Sequence, residues 1–294
     1  MSNATEAELL FHSPLLQKPD APVILEAFHY RFYPSWLLFL SFIDPANIEH
    51  VDVKMPIEPS YYDKDDIRYH YELGGGGLMD LSYTMSILRG VFQAEPVECT
   101  SIETKTRPPP QELIDEQFRA TWRFPNGGTA DMYGNINDSL WNLLAERYPV
   151  TVKHRPVVVP DPTLPEDQEK VRTRTAKLLN FLFPGIWHRL DIEDHYVIRR
   201  KSDGEPLKNW TEWQTKKAYT YQDADIPGKQ SENHWLTYGY QLDAFVDKIR
   251  GRDGTGQWVS GEDSIAQMKM VDMAYTKAGL PLRPTSTFRL KTTD

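Results

Sequence analysis

The sequence predicts an α/β (α+β) protein with a large, mainly antiparallel sheet covered on one face by helices and preceded by one helix–strand unit. Three observations point there. Segments alternating apolar and polar residues recur through the middle of the chain, as in "VECTSIETKT" and "EQFRATWRF". Between two of them, "FPNGGTADMYGNI" carries Asn126-Gly127, the strongest short-range hairpin signal in the sequence. Capped stretches of helical period stand at both ends.

Taken in order, "SNATEAELLFHSPLL" reads as a helix with Asn3 or Ser2 as N-cap and Ala7, Leu10 and Phe11 on one face. After "QKPDAP", the compact apolar run at 23–28, "VILEAF", has the composition of a buried parallel strand. "PSWLLFLSFI" is an apolar helix. Strands are then expected in "RYPVTVKHRPVVVP", "HYVIRR" and "KKAYTYQ", with a helix at 166–182 inside a proline-rich surface insert. Leu236, Tyr240, Ala244, Phe245 and Ile249 share one stripe of a further helix. The last helix is expected to be capped by Asp263 or Ser264, stopped at Gly279 and followed by Pro281.

With 294 residues, 40% of them hydrophobic, the chain can bury one large or two ordinary cores. It carries 42 acidic against 33 basic residues, a formal charge of −9, which excludes the electrostatic footprint of a nucleic-acid or anionic-lipid binder. Cys99 is the single cysteine, no apolar run approaches the ~20 residues of a membrane span, and no signal-peptide core opens the chain. The expected setting is therefore cytoplasmic and reducing, away from membranes.

The run "GGGGLMDLSYTMSILRG", residues 74–90, invites comparison with a phosphate-cradling loop. Such a loop comes after a short apolar strand and opens directly onto a helix N-terminus. Here the preceding residues, "DDIRYHYEL", are charged and aromatic. The residues after the glycines read as a helix, with Asp80 and Ser82 as possible caps and Met85, Leu88 and Val91 at helical spacing.

Several stretches together resemble the Gfo/Idh/MocA oxidoreductases, and within them the branch of dihydrodiol and NADP-dependent D-xylose dehydrogenases. "SNATEAELLF" is similar to the residues after the family's Glu-Lys-Pro motif, and "LEAFHYRFYP" to its Glu-Ala-x-x-x-Arg-Phe-x-Pro stretch. "GGGGLMDLSY" resembles its Gly-Gly-Gly-x-Leu-x-Asp signature, and "DSIAQMKMVDMAYTKAGLPLRP" its closing helix. The resemblance implies oxidation or reduction of a polyol or cyclic small molecule, such as D-xylose or a trans-dihydrodiol, with NADP or NAD. It also implies a homodimer built on the open sheet.

Two departures bear on that expectation. Neither the glycine fingerprint of the family's Rossmann domain nor the Glu-Lys-Pro lysine occurs in the sequence. Residues 1–33 then correspond to the end of a dinucleotide-binding domain and 34–294 to the substrate and dimerisation domain. Whether such a chain is an enzyme stays open: a cofactor-independent isomerase, dehydratase or cyclase in a biosynthetic pathway and a non-catalytic dimerisation or scaffold subunit are the alternatives.

By the resemblance, Tyr83 and Asp80 are the catalytic candidates, with Thr84 taking the place of Tyr83 if no gap is allowed in the motif. A tyrosine near a helix N-terminus can have its phenolate stabilised by the helix dipole. An aspartate at a helix start is also a common cap. Arg31 and His29 are the substrate-binding candidates, set against a structural salt bridge and a satisfied buried histidine respectively. No His/Cys/Asp spacing suggests a metal, so none is expected. The tryptophans Trp122, Trp141, Trp187, Trp210, Trp213 and Trp235 line a pocket, a dimer face or, more simply, sheet packing.

Overall fold

The computed structural model describes residues 1–63 and 65–287. The first helix, α1 (Ala4–Phe11), begins as the sequence predicts: the Asn3 side chain accepts from the Glu6 N–H at 2.9 Å, and Ala7 is fully buried. Residues 23–28 then depart from expectation. They form no strand, and Val23 and Ile24 are exposed. A parallel strand exists only as one rung of a ladder, and none of the strands among the described residues runs beside this segment. A tight turn at His29–Phe32 leads into α2 (Pro34–Leu40), whose side chains are buried up to Phe39.

The described residues form a nine-stranded sheet of β1 (Ile48–Pro56), β2 (Glu98–Thr106), β3 (Asp115–Arg123), β4 (Thr129–Asn135), β5 (Val150–His154), β6 (Val157–Val159), β7 (Gln168–Leu179), β8 (Arg189–Arg200) and β9 (Pro206–Lys216). Its order is β2-β3-β4-β1-β5-β7-β8-β9, with β6 beside β7. The β1–β4 pair is parallel and the others are antiparallel. The hairpin between β3 and β4 turns at Asn126-Gly127, where Gly127 has a φ of 76° and the Asn126 carboxamide accepts from the Gly128 N–H at 2.8 Å.

Helices α3 (Gly77–Asp80), α4 (Tyr83–Phe92) and α7 (Gly261–Ala278) pack on one face of this sheet, α4 over β1 and β4, α3 over β3, and α7 over β2. Met85, Leu88 and Val91 of α4 are wholly buried, as their spacing predicts, among Val51, Val53, Phe118 and Trp122. The Phe92 and Phe124 rings stack at 3.8 Å. The helix α5 (Leu140–Glu146) lies outside this cover with no buried residue, and Trp141 on it is 82% exposed. Trp213 is also exposed. Trp122 alone of these three tryptophans takes the packing role.

Four local expectations need correction. Residues 166–182 hold strand β7 and no helix, because Val171, Thr173 and Thr175 place β-branched side chains at every second position, the period of a strand. "KKAYTYQ" begins at Lys216, the last residue of β9, and otherwise lies in the turns after it. In α6 (Thr237–Ile249), Tyr240 and Ala244 face inward and Phe245 is half-buried, but Leu236 and Ile249 are exposed; Gln241 and Asp247 fill the buried stripe. The cap of α7 is Ser260, whose hydroxyl accepts from the Asp263 N–H at 3.1 Å, and its end at Gly279, with φ of 69°, is as predicted. No helix among the described residues is long and apolar enough to cross a membrane.

Candidate functional site

The glycine run shapes the site without forming a phosphate cradle. Its amides donate inward: Gly74 to the Tyr71 carbonyl at 3.0 Å, Gly75 to His70 at 2.9 Å and Gly76 to Arg68 at 3.0 Å. At Gly76, φ is +133°, and a Cβ there would collide with the Arg283 guanidinium and the Asp115 carboxylate. The space a pyrophosphate would need is filled by the chain's own buried ion pair. These residues do not fit a dinucleotide.

The run delivers Asp80, at the end of α3, and Tyr83, at the start of α4, to the wall of a cavity of about 340 Å³. His29 reaches the same cavity from the turn before α2, and Tyr61, Tyr62 and Arg68 enter from the loop between β1 and α3. Phe183 and Ile186, from the loop after β7, and Leu236 and Tyr238, at the start of α6, close the far side. At the mouth, Tyr61, Ile186, Leu236 and Tyr238 expose most of their surface, Ile186 at 79%.

Asp80 is not a helix cap. Its carboxylate accepts from the Tyr62 hydroxyl at 2.5 Å and from Arg68 Nε at 2.6 Å, while Arg68 Nη1 reaches Asp66 at 3.0 Å. The cation of the cavity is thus neutralised by two carboxylates. Burial, then the charge of Asp80, pushes the Tyr62 phenol far above its ordinary range.

Tyr83 donates to the Ala27 carbonyl at 3.3 Å, a long bond, and packs edge-on to Phe28 with ring centroids at 5.5 Å. Burial raises its pKa well above 10, with neighbouring Tyr238 and Asp80 adding to the shift. Desolvation at this helix start therefore outweighs the dipole, and the expectation of a stabilised phenolate is corrected: this phenol keeps its proton. No lysine lines the cavity.

His29 lies 4.4 Å, ring to ring, from Tyr238, and its Nδ1 is buried without a partner. Burial pulls its pKa down to about 4, so the imidazole is neutral at physiological pH. Thr84, the alternative to Tyr83, is buried and donates to the Leu81 carbonyl at 2.9 Å, away from the cavity lining.

Arg31 is not brought to this site. It points to the other side of the 28–33 segment, into a cleft of about 700 Å³, where Nη1 meets Asp263 at 2.5 Å. Asp263 also holds Arg89 at 2.7 Å, so Arg31 belongs to a salt-bridge network. Tyr62 and Arg68 escape sequence reasoning because no motif contains them; the only signal is the density of aromatic and charged residues in the loop before the glycines. Among the described residues, no three His, Cys, Asp or Glu side chains cluster as metal ligands would.

Residues 47–144 match the model of the GFO/IDH/MocA C-terminal domain. Against curated protein sequences the chain has no match. Among solved structures it is similar to an aldose–aldose oxidoreductase from Caulobacter crescentus complexed with glycerol, with a TM-score of 0.62 and 15% identity over 95% of this chain and 67% of that one. It is similar also to KijD10, a 3-ketoreductase from Actinomadura kijaniata in complex with NADP and TDP-benzene, with a TM-score of 0.57 and 16% identity over 94% of this chain and 68% of that one. An NAD-binding oxidoreductase from Klebsiella pneumoniae matches with a TM-score of 0.55 and 13% identity, over 86% of this chain and 63% of its own. By fold the chain is therefore similar to GFO/IDH/MocA-type oxidoreductases, and residues 47–144 match the C-terminal domain of that family.

Proposed function

We propose that these residues form the substrate-binding and proton-donating part of an oxidoreductase of the GFO/IDH/MocA type, acting on an uncharged cyclic hydroxy or oxo compound. One observation carries the reading: Tyr83, Asp80, Arg68, Tyr62 and His29 line a single cavity whose volume suits one small ring compound. A phosphate or carboxylate on the substrate would find no unpaired cation, since Arg68 already serves Asp66 and Asp80. A neutral ring would stack on the tyrosines. Its oxygen would reach Tyr83, whose bond to Ala27 is long enough to be exchanged for one to substrate.

The chemistry then has a direction. The buried phenol keeps its proton, and although burial makes it a weaker acid than a free tyrosine, it is still more acidic than an alcohol, so Tyr83 can give its proton to a substrate oxygen that becomes alkoxide-like. That is the demand of carbonyl reduction. Asp80, fixed between Tyr62 and Arg68, accepts a hydrogen bond from an adjacent substrate hydroxyl and orients the ring. Because the glycine run does not fit a dinucleotide's pyrophosphate, no hydride step is assigned to the described residues; NADP, as bound in KijD10, or NAD would have to be held by other residues. A second reading, a cofactor-independent isomerisation or dehydration, would use the same acid.

Calorimetric titration of the purified chain with trans-cyclohexane-1,2-diol, D-xylose and D-xylose 5-phosphate, each with and without NADPH, tests both readings. The expected result is binding of a neutral ring and none of the phosphate. Preference for the phosphate would overturn the substrate class, and turnover without NADPH would favour the second reading.

A further inference from the structure

The most deeply buried charges among the described residues lie outside the cavity. Arg283 and Asp115 are both 0% exposed and bonded at 2.6 Å from Nη2 to Oδ1. Such a pair costs desolvation and is weak evidence of stabilisation in itself. Its remaining bonds show what it holds. Arg283 Nε donates to the Gly75 carbonyl at 2.5 Å, and the second Asp115 oxygen accepts from the Leu78 N–H at 2.6 Å. Tyr275 donates to Asp115 at 3.0 Å, and the guanidinium lies over the rings of Tyr275 and Tyr71 at 4.1 and 5.1 Å.

The two clamped positions, Gly75 and Leu78, bracket Gly76. To Gly76 both acid–base partners of the cavity are tied: its N–H donates to the Arg68 carbonyl, and its carbonyl accepts from the Asp80 N–H, each at 3.0 Å. One short segment therefore sets where the Arg68 and Asp80 side chains meet. We infer that Arg283 and Asp115 are positioning residues for the Asp80–Arg68–Tyr62 set, acting through the glycine run, and that the glycines are there to admit this buried pair. The inference rests on the proposed reading only in taking that set as functional.

The test is the state of the Tyr62–Asp80 hydrogen bond, read independently of any activity. In protein labelled with ¹³C-tyrosine, the Tyr62 ring signal, assigned by its loss in Tyr62→Phe, and its hydroxyl proton report that bond. The hydroxyl of Tyr221, which donates to Asp243 of α6 at 3.1 Å and does not line the cavity, is the control. Two variants are compared with wild type. Arg283→Lys keeps the charge on Asp115, but one ammonium cannot also reproduce the guanidinium fork to Gly75. Arg283→Met with Asp115→Asn removes both charges together.

The expected result is a shifted Tyr62 signal with a fast-exchanging hydroxyl in each variant, while Tyr221 stays put. An unchanged Tyr62 in a folded variant would overturn the inference. So would equal disturbance of Tyr62 and Tyr221, or failure of both variants to fold, since the pair would then serve the whole fold and not the site. Titration of wild type with cyclohexane-1,2-diol separates this from the functional reading: absence of binding removes the substrate, while the Tyr62 result stands on its own.

Discussion

At the scale of single residues, the site depends on desolvation more than on charge. Tyr83→Phe should lower turnover of a bound ring substrate by on the order of 100-fold, the usual worth of one acid, while its affinity by calorimetry changes less than about threefold; the fold loses only a long bond to Ala27. His29, held near 4 by burial, should show no imidazole titration by NMR between pH 8 and 5, unlike an ordinary histidine at 6.5. Tyr83, Asp80 and His29 are readable from the sequence as a group, because motif order brings them forward. Arg31 lies in a different cleft for a simple reason: it and His29 both sit within the tight turn His29–Phe32, where side chains two residues apart point about 120° away from each other. Arg68 cannot be found from type alone, since an arginine in a charged loop looks like any solvated one until Asp80 is seen beside it.

At the scale of elements, the outcome depends on how each segment obtains its hydrogen bonds. Helices with caps and strands with turns supply their own, so α1, α7 and the β3–β4 hairpin are legible in the sequence; α4, which has no side-chain cap, is legible from its helical spacing of Met85, Leu88 and Val91. Ser260→Ala at the start of α7 should cost ~1 kcal/mol in chemical denaturation, as for other caps. Residues 23–28 have strand composition, but a strand needs a partner, and composition says nothing of partners. Residues 168–179 go the other way: their Arg, Lys, Leu and Ala admit a helix, but β-branched Val171, Thr173 and Thr175 at every second position and a ladder between β5 and β8 make a strand. The glycine run is the element whose purpose is least legible. Its need for glycine arises from Arg283, far away in sequence. Gly76→Ala should cost ~3–5 kcal/mol, the range for breaking a buried ion pair, whereas alanine at Gly239, in a helix and clear of close contacts, should be neutral to slightly stabilising.

At the scale of the whole molecule, the buried titratable groups define a pH window. His29, His154 and His188 all have pKa values lowered by burial, so their contribution is complete above the unfolded value of 6.5 and is lost as pH falls through their folded values. The buried tyrosines Tyr30, Tyr33, Tyr62 and Tyr83 are raised, so theirs is complete below 10 and is lost as pH rises beyond it. Glu26, Asp52 and Asp272, raised by burial, oppose the histidines on the acid side, because their contribution grows as pH falls. Single-site comparison separates these. Between pH 6.5 and 4, wild type should lose up to about 1.4 kcal/mol per pH unit more than His29→Gln, measured by urea midpoints at each pH.

The clamp on the glycine run has a further consequence, one of time. Arg283 meets Asp115 across 168 positions of sequence, and its carbonyl accepts from Asn3 across 280. Contacts that distant close late, after the hairpins and short helices around them have formed. During refolding from urea, bulk tryptophan fluorescence should therefore recover before the Tyr62 hydroxyl signal does. For that interval the protein would have its sheet, its helices and an open cavity, with the acid and its neighbours not yet in register.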